Sequence, residues 1–350
     1  MSAHTIEIAG RRIGPGEPPY VIAEMSGNHN GEIARAFRLI EAAKEAGADA
    51  VKLQTYTADT ITIDHGGPGF VIEGGLWNGR RLYDLYRDAH TPWKWHEALF
   101  AKCRDVGITV FSSPFDSTAV DLLERLGAPA YKIASFELID TPLVRYAARI
   151  GKPLIMSTGM ADAVEIADAV QAAQEAGSGG FALLHCVSGY PTPVEEANLK
   201  RIPALAASYD CPIGLSDHTM GTEVAIAAVA LGATLIEKHF TLARADGGPD
   251  AAFSLEPHEL ADLVKGVRSA YRSLGRADYG HASSEQGNMV YRRSLYAVAD
   301  IAAGEILTEA NVRSIRPGYG LPPKHFPAIL GRRAKRHIAR GTPLSFEMFE

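Results

Sequence analysis

The feature that most constrains this chain is an alternation. Eight short apolar runs, separated by stretches of which several carry helical patterns, fill its first three quarters. The runs are residues 20–25 (YVIAEM), 50–54 (AVKLQ), 108–112 (ITVFS), 131–135 (YKIAS), 153–157 (PLIMS), 181–186 (FALLHC), 212–216 (PIGLS) and 234–239 (TLIEKH). Helical periodicity lies between them, at 33–46, 93–106, 162–176 and 222–231, and several of these stretches end at glycine, which terminates helices readily. Strand–helix repetition builds a parallel sheet, because parallel neighbours need a crossover connection. Eight units is the number that closes a (β/α)₈ (TIM) barrel, which makes the fold class α/β. A doubly wound open sheet is the alternative, but no GxGxxG or GxxxxGK[ST] follows the first run.

With 46% hydrophobic and 22% charged residues over 350 positions, the chain can bury a large core. Lys+Arg total 35 against 41 Asp+Glu, with no long single-sign run, so a nucleic-acid partner is not expected. An anionic ligand must be met by a local cluster of cations. No apolar run approaches the roughly 20 residues that span a bilayer, and the polar start has no leader pattern, so no membrane partner and a cytoplasmic setting are expected. Cys103, Cys186 and Cys211 show no CxxC spacing and fit a reduced compartment. Each reads as a small buried apolar residue, since nothing in the sequence places a base beside it.

The pattern changes after about Arg276, giving a catalytic barrel at 1–280 and a linker with a small β domain at 281–350. Strand-like pieces at 294–298 and 312–315 are separated by Gly and Pro turns, and IAAGEIL (301–307) echoes IARGTPL (338–344). The echo suggests internal pseudo-symmetry. A module this small is expected to have little core of its own.

Catalytic groups of such barrels sit at the carboxyl ends of the strands. There this chain is uniformly polar: Glu24; Lys52 and Gln54; Ser112 and Ser113; Lys132 and Ser135; Ser157 and Thr158; His185, Ser188 and Tyr190; Ser216, Asp217 and His218; Glu237, Lys238 and His239. Convergence of so many polar groups is hard to explain structurally, because burying them unpaired is costly. Ala50, Lys52 and Gln54 share one strand face and Val51 and Leu53 the other, so Lys52 and Gln54 point into the barrel. There Lys52 meets either a bound anion or an internal carboxylate such as Glu24. Lys132 and the serines 113, 135, 157 and 216 could hold a small multiply charged anion, or the hydroxyls could satisfy backbone groups. His218 and His239 end neighbouring strands and could share a Mg²⁺ or Mn²⁺ that keeps several waters, or be hydrogen-bonded without metal. His29 reads as loop-shaping or substrate-contacting. The connection at 55–91, with Gly66-Gly67, Gly74-Gly75 and Trp77, is long enough for a lid. The acidic loop 244–250 suits sugar hydroxyls or amines.

At these residues the chain resembles the sialic acid synthase family, which condenses phosphoenolpyruvate (PEP) with an amino sugar. The matching segments are IAEMSGNHNG (22–31), VKLQTYTADT (51–60), FSSPFD (111–116), YKIASFE (131–137), MSTGM (156–160), LLHCVSGYPTP (183–193), GLSDHT (214–219) and IEKHF (236–240). The tail, with SIRPGYGLPPKHF (314–326), is similar to the family's antifreeze-like SAF (β-clip) module. SGNHNG, QTYTADT and ADGGPDAAFSLEP (245–257) look most like the pseudaminic acid branch, whose sugar is 2,4-diacetamido-2,4,6-trideoxy-L-altrose. The legionaminic and N-acetylneuraminic acid branches are the alternatives. The resemblance implies that Lys52, Ser113, Lys132, Ser135, Ser157, Ser188 and Ser216 hold PEP, and that His218 and His239 bind Mn²⁺ or Mg²⁺. It implies that Gln54, Tyr190, Asp250 and Arg316 face the sugar, Arg316 from the opposite subunit of a domain-swapped homodimer. Glu24, with Asp250, is expected to handle protons. An imine-forming aldolase using Lys132 or Lys238 is a rival enzyme class, and a sugar- or ice-binding protein a non-enzymatic one.

Overall fold

The computed structural model describes residues 5–350, which divide into two compact units between Gly275 and Arg276. The first opens with an antiparallel hairpin, β1 (Ile6–Ile8) and β2 (Arg11–Ile13). Eight parallel strands follow: β3 (Tyr20–Glu24), β4 (Ala50–Thr55), β5 (Thr109–Pro114), β6 (Tyr131–Ile133), β7 (Leu154–Ser157), β8 (Phe181–Cys186), β9 (Ile213–Asp217) and β10 (Leu235–His239). They pair in chain order, and β10 returns to β3 to close the barrel. All eight runs read from the sequence are these strands. No helix of the described residues is long and apolar enough to cross a membrane.

The helices between strands form where amphipathic spacing meets a capping residue. In α1 (Ile33–Glu45), Ala36, Leu39, Ile40 and Ala43 are buried at the three- and four-residue spacing of one face. Asp162 caps the helix Ala163–Glu175 by accepting from the Val164 and Glu165 amides at 2.8 and 2.9 Å, while Glu165 reaches back to the Asp162 amide.

Alternation along the strands sorts the residues into two shells. Val21, Val51, Leu53, Met156, Leu183, Leu215 and Ile236 pack against the helices. Their neighbours Tyr20, Ile22, Ala50, Phe111, Ile155, Ala182, Leu184 and Leu235 form an apolar plug inside the barrel, joined by Ile6, Ile8 and Ile13 of the hairpin. Gly214 belongs to this tight layer: a Cβ there would lie 2.5 Å from the Leu235 carbonyl and 2.6 Å from Leu184. The hairpin thus seals the amino-terminal end, a role the sequence reading did not assign to it. Only beyond the plug does the interior turn polar.

The outer shell corrects part of the strand-end reading. His185, Asp217 and Lys238 alternate with inward residues and so point away from the barrel axis. His185 bonds the Ala197 carbonyl at 2.7 Å, and Lys238 pairs with Asp217 at 2.6 Å. Ser112 bonds Thr55 at 2.7 Å, whose hydroxyl also meets His96. These are structural contacts between the barrel and its surroundings. Lys238 is therefore not a candidate for an imine inside the barrel.

The second unit carries one hairpin, β11 (Ser294–Ala297) with β12 (Val312–Ile315). The two echoing fragments meet: Ile301 and Ile338 exchange both backbone hydrogen bonds at 2.9 Å. Their matched positions Ile301/Ile338 and Leu307/Leu344 are all buried, so the pseudo-symmetry is real at the level of packing. Contrary to expectation, the unit has a core of its own, with Leu295, Val312, Ile329 and Phe349 completing it.

Candidate active site

The inward residues at the carboxyl end of the barrel form one connected network. Lys52 on β4 lies 2.9 Å from Glu237 on β10 and 3.2 Å from Glu24 on β3. Lys132 on β6 lies 3.9 Å from the same Glu237 oxygen and donates to Ser157 at 2.7 Å. Ser216 donates to that oxygen at 3.1 Å. Two lysines and the Ser216 hydroxyl thus converge on a single carboxylate, all of it buried. Burial would push the Glu237 carboxyl up, but Lys132 and Lys52 outweigh it and hold the group at about 2. Glu24 goes the other way: burial raises it to about 7, with Lys52 pulling it down and the Glu237 charge beside it adding to the rise. Burial also brings Lys132 down to about 8. Lys52 and Lys132 thus bring two cations into one buried layer, as an anionic ligand requires.

Several of its polar atoms have no partner. Ser113 Oγ, the second oxygen of Glu237 and His239 Nδ1 are buried and unbonded. Ser135 and Ser188 flank Gly159, where a Cβ would come within 2.6 and 2.4 Å of their hydroxyls. The Gly159 amide donates to Ser135 at 3.2 Å. A side chain at 159 would fill the space between the two serines, so glycine keeps that cradle open. Cys186, expected to be an inert apolar residue, is instead inward, with His218 Nδ1 at 3.8 Å and Ser188 Oγ at 3.9 Å.

One layer outward, Gln54 donates to Glu24 at 2.8 Å and to Ser26 at 3.3 Å. Ser26 donates in turn to Asp250, whose carboxylate is 3.9 Å from His239. The rings of His218 and His239 are 5.3 Å apart, and Tyr190 covers His218 at 4.5 Å. His218 Nδ1 is 2.9 Å from the Val187 carbonyl, which can only accept, so Nδ1 carries the proton and the neutral ring presents its lone pair at Nε2. His239 is held neutral by burial, with His218 beside it. A neutral, unbonded imidazole next to one oriented by a backbone carbonyl fits a pair of metal ligands. The described residues contain no group of three or more His, Cys, Asp or Glu able to hold a metal, so water or substrate oxygens would complete the coordination.

Above this layer is a cavity of about 500 Å³. Gln54, His239, Asp250 and Tyr190 line its floor and side, and Lys52 and Glu237 lie two residues deeper on their strands. Its roof comes from the long connection between β4 and the helix His96–Val106, the segment the sequence marks as long enough for a lid. In it, Phe70 and Ile72 bond Leu82 and Arg80 in a small bridge at 2.9 Å, ahead of the helix Leu82–Ala89. Trp77 donates to the Pro249 carbonyl at 2.9 Å and packs on Tyr190 at 5.6 Å, pinning the lid across the mouth. His29 is buried among Gly31, Thr91 and Trp95, and burial lowers it to about 4, which makes it a neutral loop-shaping group.

Of the residues singled out in the sequence, Glu24, Lys52, Gln54, Ser113, Lys132, Ser135, Ser157, Ser188, Tyr190, Ser216, His218, His239 and Asp250 all lie at this mouth. Arg316 lies in the second unit, in a shallow hollow with Arg292 and Arg293. The reading gave no role to Glu237, Ser26 or Glu137. Glu237 shares its strand face with His239, so period-two alternation could have found it. Ser26 and Glu137 come from loops and carry no such signal.

The family model described as NeuB family matches residues 39–279, and the SAF domain matches 292–350. The chain belongs to the NeuB family. A pseudaminic acid synthase of Campylobacter jejuni is 43% identical to this NeuB-family chain over 325 residues, 93% of this chain and 95% of that one. The N,N'-diacetyllegionaminic acid synthase of the same organism is 36% identical over 320 residues, 91% and 96% of the two chains. A solved N-acetylneuraminic acid synthetase of Leptospira borgpetersenii, in complex with citrate, superposes with a TM-score of 0.73 at 34% identity, covering 82% of this chain and 96% of that chain.

Proposed function

We propose that the chain is a pseudaminic acid synthase, a transferase that joins PEP to 2,4-diacetamido-2,4,6-trideoxy-L-altrose and releases phosphate. The observation that carries this reading is the stacking of two chemistries. A buried floor holds Lys52, Lys132, Ser157 and Ser216, and a roomier chamber above it is bounded by Gln54, His239 and Asp250. Identity to the pseudaminic acid synthase exceeds that to the legionaminic acid enzyme of the same organism, which favours the altrose-configured substrate.

In this reading the lysines and serines bind the phosphate and carboxylate of PEP, and bound PEP loosens the hold of Lys52 and Lys132 on Glu237. His218 and His239 would hold Mn²⁺ or Mg²⁺, which when bound supplies Lewis-acid polarisation of the sugar's open-chain aldehyde. PEP C3 bonds to the aldehyde carbon with its own π electrons, leaving C2 electron-poor, while the aldehyde C=O π pair moves onto oxygen, which takes up a proton to become the product hydroxyl. Water adds at C2 and loses a proton, and the C2–O bond to phosphate then breaks. Glu24, at about 7 and fixed by Gln54, is the group to take that proton. Asp250, bonded to Ser26, positions the sugar or serves as a second proton carrier. Arg316 would reach the sugar from a second copy of the chain in a domain-swapped homodimer. Three buried free cysteines, none in a disulfide, support a cytoplasmic setting.

The test is phosphate release from PEP with Mn²⁺ across a panel of diacetamido and monoacetamido hexoses, with mass spectrometry of the product. Release with the altrose substrate at ten or more times the rate of the others supports the reading. Preference for the legionaminic acid precursor or N-acetylmannosamine overturns it in favour of those branches. Borohydride trapping of Lys132 with full activity in chelator would overturn the condensation mechanism itself.

A further inference from the structure

The chamber is chemically lopsided. Its ionisable and amide groups, from Gln54, Glu137, His239 and Asp250, come from the barrel strands and the loops at their ends, whereas the lid contributes mainly apolar surface, from Ile61, Ile72, Trp77, Leu82, Leu85 and the ring of Tyr86. Tyr56 and Phe115, in edge contact at 5.0 Å, extend the apolar side, and Tyr86 closes on Tyr56 at 5.9 Å. No charged lid side chain lines the space. Arg81 is engaged with Asp84 and Asp64, and Arg80 with Asp88. A ligand whose reactive carbon sits at the His239 end must therefore run its far end into an apolar wall.

We propose that this lid wall, through Ile72, Leu82 and Leu85, is the element that selects a methyl rather than a hydroxymethyl group at the far end of the sugar. The inference rests on the function proposed above and deepens it. A methyl group gains from leaving water against these side chains. A hydroxyl at the same carbon loses its water hydrogen bonds and finds no donor or acceptor on Ile72, Leu82 or Leu85. Apolar pockets reject an added hydroxyl only by about 10²-fold, which bounds the effect.

The experiment compares kcat/KM for the 6-deoxy altrose substrate and its 6-hydroxy counterpart, with PEP saturating. The wild type is expected to favour the 6-deoxy sugar about 10- to 100-fold. Ile72→Ser and Leu82→Asn, both at partly exposed positions where folding is not at stake, are expected to shrink that ratio at least fivefold. Ile72→Val is expected to leave it unchanged. The KM for PEP, bound a layer below, should stay within twofold in all three. A wild-type ratio under threefold, or a ratio unmoved by both polar variants, overturns the lid's role while leaving the synthase assignment standing. Consumption of neither sugar by the wild type overturns the synthase assignment, and the lid proposal falls with it.

Discussion

Lys238→Met tests whether the shell behind the site is as described. Lys238 is 1% exposed and donates to Asp217 at 2.6 Å and to the Thr219 carbonyl. Asp217, 3% exposed, accepts from the Thr219 amide and hydroxyl at 2.9 and 2.8 Å. Methionine has a similar length and no charge, so it fills the space but leaves the Asp217 carboxylate without its cation. Removing one partner of a buried pair costs about 3–5 kcal/mol. At roughly 1–2 °C per kcal/mol for a chain of this size, the melting temperature should fall by about 3–10 °C. Replacing both, Lys238→Met with Asp217→Leu, removes the stranded charge and should recover at least half of the loss. Thermal unfolding by circular dichroism reads all three proteins. At 15 °C, where Lys238→Met stays folded, PEP-dependent phosphate release should persist, because the side chain faces away from the floor. A fall under 2 °C, or a double variant that melts lower than the single, would refute the argument that the pair is buried and mutually dependent.

Three further outcomes follow from the electrostatics. Glu24→Gln should keep the melting temperature within a few degrees and lose at least 100-fold in kcat, and the acidic limb of the wild-type kcat/KM profile near pH 7 should vanish from the residual activity. Glu237 is held at about 2 against an ordinary 4.5, so it stabilises the fold above pH 4.5 and that contribution is lost as pH falls through 2; Glu237→Gln should flatten the drop in stability between those values, measured by urea unfolding at each pH. His239→Ala should weaken Mn²⁺ binding, followed by electron paramagnetic resonance in the absence of substrate, by at least 10-fold; equal affinity would remove His239 from the ligand set.

The barrel was legible because each strand carries its own apolar run and each crossover its own helical period. Both are local signals, and the eight runs fall within a residue or two of the observed strands. The floor was legible for a related reason: alternation in AVKLQ already turns Lys52 and Gln54 inward. The same rule, not applied to TLIEKH, would have put Glu237 with His239 and sent Lys238 outward. The remainder depended on distance in the chain. Ser26 meets Asp250 across 224 positions, and nothing local to either announces the other. The amino-terminal hairpin is two three-residue strands whose isoleucines acquire meaning only against Tyr20 and Leu235, residues of the barrel they close.

That closure makes the barrel a vessel with one doorway. Everything that enters or leaves must use the end where the sugar would sit, since Ile6, Ile8 and Ile13 stopper the other. On the proposed assignment the phosphate-bearing reactant occupies the bottom and the sugar lies on top of it. Traffic is then a queue: PEP must load before the sugar, and a bound sugar blocks its escape until turnover is complete.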